Sequence, residues 1–128
     1  MRTPIVKPIV QKPQQIQQPS QFDVYQVAAM STRLPTADET YALLGLSGEV
    51  GELHSFVAKY IRDGDRENDD QVTAMQGSIA KELGDILWFI AAIADDFNIS
   101  LSTIATMNLK KLAKRQAEGS LGGSGDER

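Results

Sequence analysis

An all-α fold, a four-helix bundle completed by homo-oligomerisation, is what this sequence predicts, on three observations. After position 19, apolar residues recur every three to four positions, the spacing that lays one stripe along a helix turning about 100° per residue. One stretch, Glu49-Val-Gly-Glu-Leu-His-Ser-Phe56, returns as Glu82-Leu-Gly-Asp-Ile-Leu-Trp-Phe89. The offset holds for Glu49/Glu82, Glu52/Asp85, Phe56/Phe89 and Asp63/Asp96, a weak internal repeat of a helical unit. Breaks fall at Leu34-Pro35, in the polar segment 62–70, at Asn98-Ile99-Ser100 and at Gly119.

Taken in order, residues 1–19 stand apart. Pro4, Pro8, Pro13 and Pro19 alternate with Val, Ile and a Gln-rich run over 11–18, the composition of a disordered or polyproline-like tail. Ser20 can cap a first helix over 21–33, with Phe22, Tyr25 and Ala29 along one side, and Leu34-Pro35 ends it. A second helix spans 37–61, its apolar face carrying Ala42, Leu46 and Leu53. Segment 62–70 is polar, contains Gly64 and reads as a loop. The third helix, 72–97, is apolar nearly all round between Ile86 and Ala94 and must be covered on several sides. A protomer of this size covers it incompletely, which is why a homo-oligomer is expected. Ser100 caps a fourth helix that runs to Glu118, and residues 119–128 form a Gly-rich closing segment. The helical domain is thus 20–118. Gly51 and Gly84 each cost their helix about 1 kcal/mol, which predicts close helix contacts at equivalent places in the repeat.

At 128 residues, 41% of them apolar, the chain makes one domain with a modest core. The net charge of −4 and the lack of a basic stripe argue against general nucleic-acid binding, though not against a single nucleotide carried with its metal. The absence of cysteine excludes disulfides and zinc–thiolate sites and fits a reducing cytoplasm. The longest apolar run, 86–94, is too short to span a bilayer, and no signal-peptide pattern is present.

The acids carry the chemistry. With Glu49 at 0°, Glu52 falls at about 300° and Leu46 and Leu53 lie between about 20° and 60°, so the carboxylates interrupt the apolar face. Glu82 and Asp85 do the same beside Ile86 and Ile93. A lone Glu-x-x-Glu pair is ordinarily a solvated face. Two pairs on apolar faces are different: uncompensated buried carboxylates cost several kcal/mol each, and no matching rows of Arg or Lys face them. A metal ion held by Glu49, Glu52, Glu82 and Asp85 answers the charge, and an oxygen-only ligand set points to magnesium or manganese.

Other polar residues admit two readings. Asn108, Lys111 and Arg115 share a face of the fourth helix with Leu101, Ile104 and Leu112; they either snorkel from the core edge near a helix C-terminus or donate to a triphosphate. Lys59 projects beside Glu52 and could reach a phosphate or pair with that carboxylate. Trp88 lies off the metal stripe and reads as core packing rather than base stacking. His54 faces away from the acids. Without Glu-x-x-His pairs, a di-iron bundle is a poor reading.

The runs Gly48-Glu-Val-Gly-Glu52, Lys81-Glu-Leu-Gly-Asp-Ile-Leu-Trp88 and Asn108-Leu-Lys-Lys-Leu-Ala-Lys-Arg115 resemble the MazG-like, all-α nucleoside triphosphate pyrophosphohydrolases. The similarity extends from about Phe22 to the C-terminus. It implies magnesium-dependent hydrolysis of a (d)NTP to the monophosphate and pyrophosphate in a homodimer or homotetramer. Glu49, Glu52, Glu82 and Asp85 would bind the metal, and Glu49 or Glu52 would accept the proton of the attacking water. Asn108, Lys111 and Arg115, with Lys59, would contact the substrate. Where many relatives carry Arg-Tyr-Pro this chain has Arg115-Gln-Ala, which bears on substrate preference. The ending Gly122-Gly-Ser-Gly-Asp-Glu-Arg128 looks like the terminus of small, phage-type members; it is either a flexible tail or a segment that folds over nucleotide. The rival is a non-catalytic helical nucleotide- or partner-binding protein, without metal-dependent turnover.

Overall fold

The computed structural model describes residues 20–120 and Gly122. The expected N-terminal tail and most of the Gly-rich closing segment therefore lie outside the described residues. The described residues form four helices: α1 (Gln21–Met30), α2 (Glu39–Asp63), α3 (Asp69–Asp96) and α4 (Leu101–Ala117). Among the described residues there is no strand.

Each helix starts on a side-chain cap, as orphan N–H groups require. Ser20 accepts from Phe22 N, Asp38 from Tyr41 N and Ser100 from Thr103 N. Asn68 accepts from Asp70 N and Gln71 N, which draws Asp69 and Asp70 into the first turn of α3, where the helix dipole favours acids. The α2–α3 connection is therefore shorter than the loop expected over 62–70.

α1 stops at Met30 rather than at 33. Ser31 Oγ donates to the Ala28 carbonyl at 2.6 Å and Thr32 Oγ1 to the Ala29 carbonyl at 2.7 Å. The chain then tightens through bonds from Thr32 N to Ala29 O and from Arg33 N to Met30 O. Arg33, released from the helix, donates from Nε to Ala37 O at 2.7 Å and pairs with Asp96 at 2.8 Å. The α1–α2 turn is thereby tied to the end of α3. From the middle of α1 Gln26 receives Leu101 N at 2.8 Å and donates to Ile99 O at 3.1 Å, while Asp23 in its first turn receives Ser102 N and its hydroxyl. These bonds seat the start of α4 on α1. Asn98 turns the corner between α3 and α4 at φ 54°, and Gly119 closes α4 at φ 68°.

α2 and α3 form the long hairpin at the centre, with α1 packed on α3 and α4 meeting the bundle mainly through α1. The core is built mostly from alanines, with Phe89 and Leu101. Ala29, Ala91, Ala94 and Leu101 form one cluster, and Ala42, Phe89 and Ala92 the other. The expected close approach at Gly51 and Gly84 is not found, since open space surrounds both among the described residues. It occurs instead at Gly45, where a Cβ would enter the ring of the buried Phe89. Gly45→Ala should therefore lower stability by about 1–3 kcal/mol, an overpacking cost readable as a shift of the urea midpoint.

Several large apolar side chains remain open to solvent, among them Leu44, Met107 and Leu109, each about two-thirds exposed. No single helix among the described residues is long and apolar enough to cross a membrane.

Candidate metal centre

Packing α2 against α3 turns the i, i+3 spacing of the acids into a cluster. Glu49 from α2 and Glu82 and Asp85 from α3 each offer an oxygen within 4.8 Å of the other two. Oxygens on one octahedral magnesium at about 2.1 Å stand about 3–4 Å apart, so small side-chain adjustments would bring these three onto one ion. Glu49 and Glu82 are half-buried and Asp85 is exposed.

Glu52, one turn further along α2, is exposed and lies outside this group of three. It still belongs to the same field. Burial pushes the Glu49 carboxyl above its ordinary value, and the charges of Glu52, Asp85 and Glu82, in that order, push it further. Among the described residues no Lys or Arg forms an ion pair with any of the four acids. The last acids of the repeat differ: Asp63 pairs with Arg62, and Asp96 with Arg33. Hard oxygen donors and mutual repulsion, with no cationic side chain among the described residues in ion-pair contact, together fit a divalent cation.

Angular position on single helices overstated how deeply the acids point into the core. Glu52 and Asp85 are exposed, and only Glu49 and Glu82 are half-buried. Tyr25 of α1, expected only as part of an apolar stripe, sits close enough to Asp85 to feel its charge. Its phenol is raised above the ordinary value by burial first and by Asp85 second. No pattern within α1 announces this neighbour, because it depends on how α1 crosses α3.

The remaining expected site residues are distributed as follows. Lys59 and Asn108 are exposed, Lys111 is half-buried and Arg115 is buried near the end of α4. Lys111 and Arg115 are both engaged in interactions of their own. Asn108, Lys111 and Arg115 share α4, apart from the α2–α3 hairpin that holds the acids. His54 is exposed. Trp88 packs as expected: its Nε1 donates to Thr32 Oγ1 at 2.9 Å and to Ala29 O at 3.2 Å, and its ring meets Phe89 edge-on.

Comparison with known proteins adds the following. The MazG nucleotide pyrophosphohydrolase domain matches residues 37–119, which takes in α2, α3, α4 and all four acids. A protein of Mycobacterium phage L5, described as Gene 37 protein, is 38% identical over 118 residues, covering 83% of this chain and 97% of its own. No solved structure matches.

Proposed function

The chain belongs to the MazG nucleotide pyrophosphohydrolase family, and from that premise we propose that it hydrolyses a (d)NTP to the (d)NMP and pyrophosphate. The observation that carries the reading is the convergence of Glu49, Glu82 and Asp85 from two helices onto one point. With Glu52 beside them, these residues would hold magnesium, or manganese in its place. The bound metal supplies charge neutralisation for the triphosphate and lowers the pKa of a water molecule.

The residues then divide the work. Water attacks the α-phosphorus, the bond to the oxygen bridging the α- and β-phosphorus breaks, and pyrophosphate leaves. The Glu49 carboxylate takes the proton of the attacking water, which suits the acid whose proton affinity is raised by burial first and by its neighbours second; Glu52 is the alternative acceptor. Asn108, Lys111, Arg115 and Lys59 contact phosphate or sugar. No Ser or Cys nucleophile is needed.

The test is product analysis. Purified protein is incubated with each (d)NTP and magnesium, and the products are resolved by ion exchange. Monophosphate and pyrophosphate are expected; diphosphate and free phosphate would overturn the assignment, and EDTA should stop the reaction.

The working assembly is a homodimer or homotetramer. The exposed Leu44, Met107 and Leu109 support it, since a partner would remove them from water. Light scattering on a sizing column should give at least twice the mass of 14.0 kDa; a monomer at micromolar concentration would contradict it.

A further inference from the structure

One hollow of the structure adjoins α3 close to its acids in sequence. Thr32, Leu34, Thr36, Ala37, Tyr41 and Trp88 line a hollow of about 270 Å³ between the α1–α2 turn and α3. Two large rings among its walls, with threonine hydroxyls, make the lining expected of a site for a flat, partly polar ligand.

Its place relative to the acids follows from helix geometry. Trp88 is one turn beyond Asp85 on α3, about 4.5 Å along the axis. Tyr41 and Glu52 are eleven residues apart on α2, about three full turns, and so share a side of that helix. Tyr41 and Glu52 from one helix, and Trp88 and Asp85 from the other, thus border the same flank. On α3 the wall of the hollow thus lies about one turn beyond Asp85.

The rings are also held in place. The indole is fixed by its hydrogen bonds to Ala29 and Thr32 and by its edge-on contact with Phe89. Tyr41 leans on the same Phe89, ring centres 5.7 Å apart. Half of Tyr41 remains exposed, and Thr36 is exposed. Rings positioned before a ligand arrives lose little freedom on binding it.

We propose that this hollow receives the base of the nucleotide, with Tyr41 and Trp88 as its aromatic walls and Thr36 at its rim, so that these residues set which (d)NTP is preferred. The proposal rests on the hydrolase reading for where the phosphates lie. A nucleotide whose α-phosphate sits at the carboxylates extends its sugar and base by a comparable length, towards Trp88. Stacking on the rings is tolerant of base identity, so discrimination would come from hydroxyls at the edge.

Trp88 is the single tryptophan of the chain, so its emission reports on the hollow directly. The four deoxynucleoside monophosphates are titrated in EDTA and again in magnesium, with deoxyribose 5-phosphate as the base-free control. A saturable change in emission is expected with at least one nucleotide and none with the control. No change with any nucleotide, or an equal change with the control, overturns the proposal. Tyr41→Ala should weaken nucleotide binding about tenfold or more and raise KM more than it lowers kcat, with Tyr41→Phe restoring binding. Thr36→Trp, which fills the hollow from an exposed turn, should block binding without lowering the melting temperature, binding by this variant being read by titration calorimetry because it adds a second indole. Wild-type affinity in both Tyr41→Ala and Thr36→Trp refutes the assignment even if pyrophosphate release is intact. Absence of pyrophosphate release with nucleotide binding retained refutes the hydrolase reading instead.

Discussion

Glu49→Gln is expected to lose pyrophosphate release by about a hundredfold or more while the metal-free protein melts at a higher temperature than its parent. The two effects have one origin. Burial and three neighbouring carboxylates disfavour the charge on Glu49, so its proton is held more tightly in the folded state than in the unfolded chain. A carboxyl with a raised folded pKa contributes a penalty that is absent below the unfolded value of 4.5, grows as pH rises through the folded value and is fully present above it. Glutamine removes the charge at every pH. The gain in melting temperature should therefore be largest near neutral pH and vanish below about pH 4. An ordinary surface glutamate would give no such pH dependence, and an ordinary packing residue would give a loss. Melting curves of both proteins across pH 3.5–8 in EDTA, beside turnover at pH 7, decide it. A gain that does not change with pH, or activity retained, sets aside Glu49 as the strained centre of the site.

The sequence exposed Glu49, Glu82 and Asp85 because spacing along a helix fixes the face on which a side chain stands, and a repeated spacing makes coincidence less plausible. The caps at Ser20 and Ser100 and the stop at Gly119 were legible for a similar reason, since each acts on residues within one turn. What escaped depends on contacts between distant residues. Arg33 leaves α1 to join Asp96, 63 positions away, and nothing around Arg33 records that partner. Asp69 and Asp70 read as part of a polar loop, because an acidic first turn looks like solvent-facing chain until the cap at Asn68 is recognised. Gly51 and Gly84 drew attention through the repeat, but the crossing of Phe89 made Gly45 the glycine that packing requires. The proximity of Tyr25 to Asp85 needed the crossing of α1 over α3. The aromatic hollow needed the fold of the α1–α2 turn. Trp88 packs as expected, and only the folded turn reveals that a hollow lies beside it.

Magnesium should raise the melting temperature of the unmutated protein, and the four acids should differ in how much of that shift they carry. By mass action, ligand at a hundred times its dissociation constant stabilises by about 2.7 kcal/mol, which for a domain of this size corresponds to an upward shift on the order of 10 °C. Glu82 contributes an oxygen to the group of three, and Glu82→Gln should remove most of that shift. Glu52 stands outside that group and reaches it chiefly as charge, so Glu52→Gln should keep a substantial part of the shift while raising the metal-free melting temperature. Asp63, at the next step of the repeat, is neutralised by Arg62, and Asp63→Asn should leave the magnesium shift at the parental value. The ranking separates a built site from general screening of acidic surface. Screening would act on all three variants alike and would be reproduced by sodium at matched ionic strength, because it responds to total charge rather than to convergent oxygens. Scanning calorimetry of the parent and the three variants in EDTA, magnesium and matched sodium supplies the comparison. If Glu82→Gln retains the parental magnesium shift, the three-oxygen cluster does not hold the metal.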